Sequence, residues 1–228
     1  VFRDALLVAG KDLRIETRSR VTTNQVLPFA VLVLVLFAFA LDPDRATLAV
    51  ATPGLYWVAV LFVTLLGVQR SFAIEVVDGG RDALRLSGLD PAGIFLGKAG
   101  ALIFQLLVLD ALLLVGVVVL YGADLPAAGW AVVATTALVA TLGLGFAGTL
   151  YGALAAGLRV RETLLPLLLL PVVAPVLIGA TRAFESGMLS APGVAPADGW
   201  PWVGLLGVFA LVYAAVGVLA FGPLLETS

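Results

Sequence analysis

AGALIFQLLVLDALLLVGVVVLY, Ala99–Tyr121, is the stretch that decides the fold. It is an unbroken apolar run with one charge, Asp110, at its middle. A helix needs about 20 mostly apolar residues to cross ~30 Å of hydrocarbon. A membrane-spanning strand would instead alternate over ~10 residues. A helix also satisfies its own backbone hydrogen bonds, so it can sit in lipid. The run reads as a transmembrane helix.

Outward from it lie five more such runs: Val21–Leu41, Thr52–Val68, Trp130–Gly157, Leu164–Thr181 and Trp202–Leu224. The 228-residue chain is 61% hydrophobic and 12% charged, about half the charged share of a soluble domain. The expected fold is an all-α integral membrane protein, with six transmembrane helices in one domain, 21–228. The first run begins after a charged stretch and lacks a small-x-small cleavage pattern, so it is expected to be a retained span rather than a signal peptide.

Lysine and arginine sort by side. Arg3, Lys11, Arg14, Arg18, Arg20, Arg70, Arg81, Arg85, Lys98, Arg159 and Arg161 fall on one side, and only Arg45 and Arg182 on the other. This asymmetry predicts that both termini, the 70–98 segment and the 158–163 turn are cytoplasmic. The 42–53, 122–129 and 182–201 loops then face out.

Residues 1–20 precede the first span. Phe2, Ala5, Leu6, Ala9 and Leu13 recur at helical steps, and basic residues cluster at the end of the stretch. The pattern predicts an amphipathic helix in the cytoplasmic interface, against the alternative of a solvated tail.

Arg70–Lys98 carries four basic and four acidic residues, with Phe72, Ile74, Val76, Leu84 and Leu86 threaded among them. Arg70–Val77 continues the second helix, Asp78-Gly79-Gly80 signals a turn, and Arg81–Ser87 reads as a short cytoplasmic helix between spans two and three. Asp90-Pro91 supplies a cap and first-turn pair for the third span. The charges are open to two readings, a solvated loop or a docking surface.

Within the spans, Asp110 and Gln105 are the intramembrane polar residues of the third. A carboxylate at that depth costs ~2.5–3.5 kcal/mol on insertion scales. It must face the bundle interior, be protonated, or both, and it serves either as a proton-coupled group or in a structural hydrogen bond to a neighbour such as Thr135, Thr136 or Thr141. The fourth span carries Gly145, Gly148 and Gly152 on one face, suited to close helix packing within the bundle or between subunits. Pro166, Pro171 and Pro175 should kink or partly break the fifth helix, either as a hinge lining an interior or as a static bend. Trp57, Trp130, Trp200 and Trp202 lie near the outer ends of spans and suit an aromatic belt, or less simply a flat ligand surface.

The chain has no cysteine and no histidine. This removes thiol chemistry, the usual transition-metal ligands and the common haem axial ligands. No Gly-Lys-Ser/Thr phosphate loop occurs, so the chain alone is not expected to hydrolyse ATP. No nucleophile–base pair is visible, and a non-catalytic subunit is expected.

The string Glu75…Gly79-Gly80…Asp82-Ala83-Leu84…Leu86-Ser87…Leu96-Gly97-Lys98 resembles the cytoplasmic motif of type 2 ABC-transporter permeases. Pro53–Val58, Arg70-x-Phe72, Asp78-Gly79, Leu84-x-Leu86, Lys98 and Leu170–Ile178 more narrowly resemble the CcmB-type haem exporter family of cytochrome c maturation. The resemblance implies a homodimeric permease in a prokaryotic inner membrane, in contact with membrane lipids and not with nucleic acid. Its partners would be a cytoplasmic ABC ATPase, a haem-handling membrane protein and a periplasmic haem chaperone. ATP would bind the partner, and haem would be held by partners rather than by this chain. Leu84 and Leu86 would enter a groove on the ATPase, with Glu75, Asp78, Gly79, Arg81, Asp82 and Arg85 setting register. Other readings are a type 2 exporter of a lipid or drug, a proton-driven transporter using Asp110, and a passive scaffold.

Overall fold

The computed structural model describes residues 1–20, 22–41, 45–77, 88–123, 125–156 and 161–227. Its helices are α1 (Phe2–Ser19), α2 (Leu27–Leu41, entered through a π-helical turn, Thr22–Val26), α3 (Arg45–Val77), α4 (Pro91–Tyr121), α5 (Trp130–Ala156), α6 (Arg161–Met188) and α7 (Trp200–Thr227, after a 3₁₀ turn at Pro196–Gly199). No strand occurs among the described residues. Among the described residues six helices are long and apolar enough to cross a membrane, and the chain is a multi-pass membrane protein.

Several spans are longer than their apolar cores. The third span, α4, starts at Pro91 rather than Ala99, and the fifth, α6, runs to Met188 rather than Thr181. α4, at 31 residues, is about 46 Å long, so its first two turns stand in the interface. Its start is built locally. The Asp90 carboxylate accepts a hydrogen bond from the Ala92 N–H at 2.8 Å, and Pro91 occupies the first helical position, where its missing N–H costs nothing.

α5 is the centre of the bundle and packs against α3, α4, α6 and α7. Its glycines make this possible. A Cβ on Gly145 would run into Ile103 of α4, one on Gly148 into Val68 of α3, and one on Gly152 into the Phe72 ring of α3. Lipid tails are as apolar as leucine, so helix association rests on contact area and close backbone approach. Of the two settings open to this glycine face, the structure therefore displays contact within one bundle. α7 repeats the device where Gly217 seats Phe95, which also meets Phe146 and Phe221. α2 is peripheral. It is held through Leu34, whose carbonyl accepts from the Tyr121 hydroxyl at 3.0 Å.

Two regions bear on the expectations drawn from the sequence. α6 is one unbroken helix through all three prolines, and Pro171 and Pro175 lie on its exposed side. Its inward face (Leu165, Leu169, Val173, Val176, Ala180 and Phe184) is buried aliphatic and aromatic surface. The helix is therefore continuous across the prolines, and Pro171 and Pro175 face away from its buried side.

Trp57 leaves the aromatic belt. Its side chain is 1% exposed, packed edge-on to Tyr56 and Phe184 at 5.3 and 5.1 Å between ring centroids. Trp130, Trp200 and Trp202 are 50%, 47% and 36% exposed, as an interfacial position requires. Trp57 differs because its helix face points at α6.

Overpacking a filled helix contact costs about 1–3 kcal/mol. Gly152→Leu should lower the thermal unfolding midpoint of the detergent-solubilised chain by several degrees. Gly100→Ala, where a Cβ meets nothing within 4 Å, should leave it unchanged or slightly raised. Equal midpoints for the two variants would remove α5 from its central place.

Candidate functional site

The segment expected to dock a partner lies mostly outside the described residues. Asp78, Gly79, Arg81, Asp82, Leu84, Arg85 and Leu86 all fall there, and Glu75 lies in α3 without a described side chain. The frame from which this segment springs is described: the end of α3, the start of α4, and α1 against them.

α1 docks on the first turns of α4. Gly93 and Gly97 carry the contact. A Cβ at Gly93 would come within 2.8 Å of the Asp4 Cβ, and one at Gly97 within 2.7 Å of the Val8 Cβ. The Asp4 carboxylate accepts from the Asp90 N–H at 3.3 Å. One turn further on, Lys98 is buried, at 1% exposure. It donates to Asp12 of α1 at 3.4 Å and stands 4.8 Å from the centre of the Phe72 ring of α3. Asp12 is also 3.0 Å from Lys11. Phe72 in turn fills the space over Gly152. One ammonium therefore links α1, α4, α3 and, through the ring, α5.

The face of α1 that meets the bundle is Asp4, Ala5, Val8 and Asp12, so of the Phe2, Ala5, Leu6, Ala9 and Leu13 stripe Ala5 shares in it while Phe2 and Leu6 do not. Phe2 and Leu6 are exposed. This leaves them free to enter an apolar phase while Arg3 and Arg14 point elsewhere on the wheel. The clamp was legible only as a hint, in Gly93, Gly97 and Lys98 at four- and one-residue steps. Nothing in the sequence tells which helix those glycines admit.

At mid-membrane, Asp110 is buried and accepts a hydrogen bond from Thr141 of α5. Its backbone carbonyl accepts from the Tyr56 hydroxyl of α3 at 3.1 Å, and Tyr56 stacks on Phe184 of α6 at 4.9 Å. Asp110 thus joins α4 to α5 through its carboxylate and to α3 through its backbone, with α6 reached by way of Tyr56, and its second carboxylate oxygen is buried without a partner among the described residues. Of the three threonines considered, Thr141 is the partner. Thr135 donates to the Ala131 carbonyl of its own helix at 2.7 Å, and the Thr136 hydroxyl is buried without a partner among the described residues. Gln105 is not part of this cluster. It lines a small cavity near α1, with Asp12, Arg70 and Ser71. Among the described residues no group of three His, Cys, Asp or Glu side chains gathers, and no second acid stands beside Asp110 to relay a proton. The arrangement can hold helices together and can brace a partner-facing segment.

Comparison with known proteins places these features in a family. The sequence profile described as CcmB protein matches residues 3–228. Heme exporter protein B of Haemophilus influenzae is 32% identical over 187 residues, which is 82% of this chain and 84% of that protein. Heme exporter protein B of Paracoccus denitrificans is 35% identical over 190 residues, with the same coverage, 82% and 84%. The Escherichia coli K12 protein of that name is 33% identical over 181 residues, 79% of this chain and 81% of that one.

A buried charge that loses its partner is penalised far more than one replaced together with it. Asp12→Ala should destabilise the purified chain by about 2 kcal/mol, a figure reduced for the partial exposure of Asp12. Lys98→Met, of similar volume, should cost less than half of that. Thermal unfolding of the two variants measures both, and the reverse order would mean that Lys98 is not held by the ion pair. In the same assay Thr141→Val should cost about 1–2 kcal/mol, and adding Asp110→Leu should recover most of the loss.

Proposed function

This chain belongs to the CcmB protein family, and on that premise we propose that it is the membrane permease subunit of a haem-export system serving cytochrome c maturation. It works with an ATPase carried on a separate cytoplasmic subunit. The segment between α3 and α4 docks on that subunit, with Leu84 and Leu86 as apolar anchors and the flanking charges setting register. ATP-driven movement of the partner is passed into the bundle. Its outcome is release of a haem-loaded chaperone on the other side of the membrane.

The observation that carries this reading is the family match, which runs from residue 3 to residue 228 and so includes the docking segment and all six spans. The frame described above supports it mechanically. Asp4, Asp12, Lys98 and Phe72 tie α1, α4 and α3 together at the base of the docking segment. A push there meets a braced unit rather than a single helix. The chain supplies no histidine or cysteine, and haem iron is held by partner proteins.

Isolation from native membranes tests the proposal. A nucleotide-binding subunit and a haem-binding membrane protein should co-purify. Leu84→Asp with Leu86→Asp should reduce the retained ATPase subunit at least about tenfold, as loss of an apolar anchor does at an interface, and should abolish cytochrome c assembly. Asp110→Asn should leave assembly intact. A chain that purifies alone, or a double variant with full assembly, would overturn the docking role. Loss of assembly in Asp110→Asn with stability unchanged would favour proton coupling instead.

A further inference from the structure

On the side of the bundle where α1 lies, α2, α3, α5 and α6 part to leave a cavity of about 430 Å³. This is within the ~300–1,000 Å³ range of small-molecule sites. Its walls are mostly apolar, with Val26 and Phe29 from α2 and its entry turn, Leu66 and Phe72 from α3, and Leu165 from α6, and its neutral polar members are Gln25 and Gln69. Among the described residues one cation reaches it, Arg70. The Arg70 Nε is buried and has no hydrogen-bond partner among those residues. Arg70 also borders the smaller cavity beside Asp12 and Glu16, while the buried cation of this region, Lys98, sits against Asp12 and Phe72.

The depth of the cavity is set by its lining. Val26 and Phe29 belong to the first turns of the span Asn24–Leu41, and Leu66 to Ala73 to the last two turns of Thr47–Ala73. The guanidinium therefore stands at the boundary between headgroups and acyl chains, and the apolar walls run from there toward the bilayer centre. Phe29 is 39% exposed on the outer surface of the bundle, so the mouth faces the membrane. Arg70 as a whole is only partly buried, but a buried N–H without an acceptor is costly in a low-dielectric setting, and an anionic oxygen beside it removes that cost.

We propose that this cavity is a binding site for one anionic phospholipid of the surrounding leaflet, its phosphate on Arg70 and the start of an acyl chain along Phe29 and Leu66. A lipid is the occupant because the bilayer presents a phosphate above an acyl chain at this depth, which is the order of the lining. Basic pockets between transmembrane helices hold lipid headgroups in this way. The bound lipid then wedges α2 against the α3–α5 contact, next to Phe72 and Gly152. This inference stands apart from the haem-export reading and does not depend on it.

The test is native mass spectrometry of the purified full chain, in its native assembly where one is retained, exchanged into mixed phosphatidylglycerol and phosphatidylcholine. One phosphatidylglycerol per chain should be retained in preference to phosphatidylcholine. Arg70→Gln should weaken that preference about tenfold, the loss of a charge-assisted hydrogen bond. Ala156→Phe keeps the charge and fills the cavity, and it should expel the lipid as well. Thermal unfolding should show stabilisation by phosphatidylglycerol in the wild type and in neither variant. A wild-type chain that retains both lipids equally overturns the proposal whatever the variants do. So does undiminished retention in Arg70→Gln, or recovery of a carboxylate amphiphile in place of phospholipid.

Discussion

The structure depends on the absence of a hydrophobic drive between helices that are already in oil. What remains is contact area, and α5 supplies it by removing side chains where neighbours must come close. Ile103, Val68 and Phe72 occupy the space in which Gly145, Gly148 and Gly152 would otherwise carry a Cβ. α1 is held by the same means at Gly93 and Gly97. Tight backbone approach and the position of α1 are thus one packing scheme at two levels of the membrane.

Polar groups enter this scheme only where several helices converge. Asp110 is reached by Thr141 and, through its backbone, by Tyr56. Lys98 is reached by Asp12 and faces Phe72. Each joins elements far apart in sequence. Such groups add little net stability over an apolar replacement, but they penalise wrong arrangements, since a mispaired buried charge is worse than none. That property fixes the register of helices that apolar packing alone would leave free to slide. Phe72 links the two levels, with the ammonium on one side and the glycine of α5 on the other.

The aromatic groups divide the same way. Trp130, Trp200 and Trp202 stand at the surface, where an indole has both an apolar and a wet neighbour. Trp57, one residue from Tyr56 on a helix with a neighbour on that side, is taken inside and builds the wall between α3 and α6. Residues of one type thus do different work, according to where they stand along the helix and which way it faces.

Helix number and type were determined by the sequence alone, because ~20 apolar residues in lipid leave a backbone no other way to pair its polar groups. The cap at Asp90-Pro91, the run of α3 through Arg70–Val77 and the closeness of the α5 glycine face were also legible, since each is a property of neighbouring residues. Rotation of each helix about its axis was not. Hydrocarbon is apolar on every side, so an almost uniformly apolar helix carries no stripe to say which face turns inward. Only the assembled bundle decided that Trp57 points in and Pro171 out, that Thr141 rather than Thr135 or Thr136 meets Asp110, that α1 docks by Val8 and Asp12, and that Arg70 opens on a cavity. Those choices are made by steric fit among helices distant in sequence, which no single segment encodes.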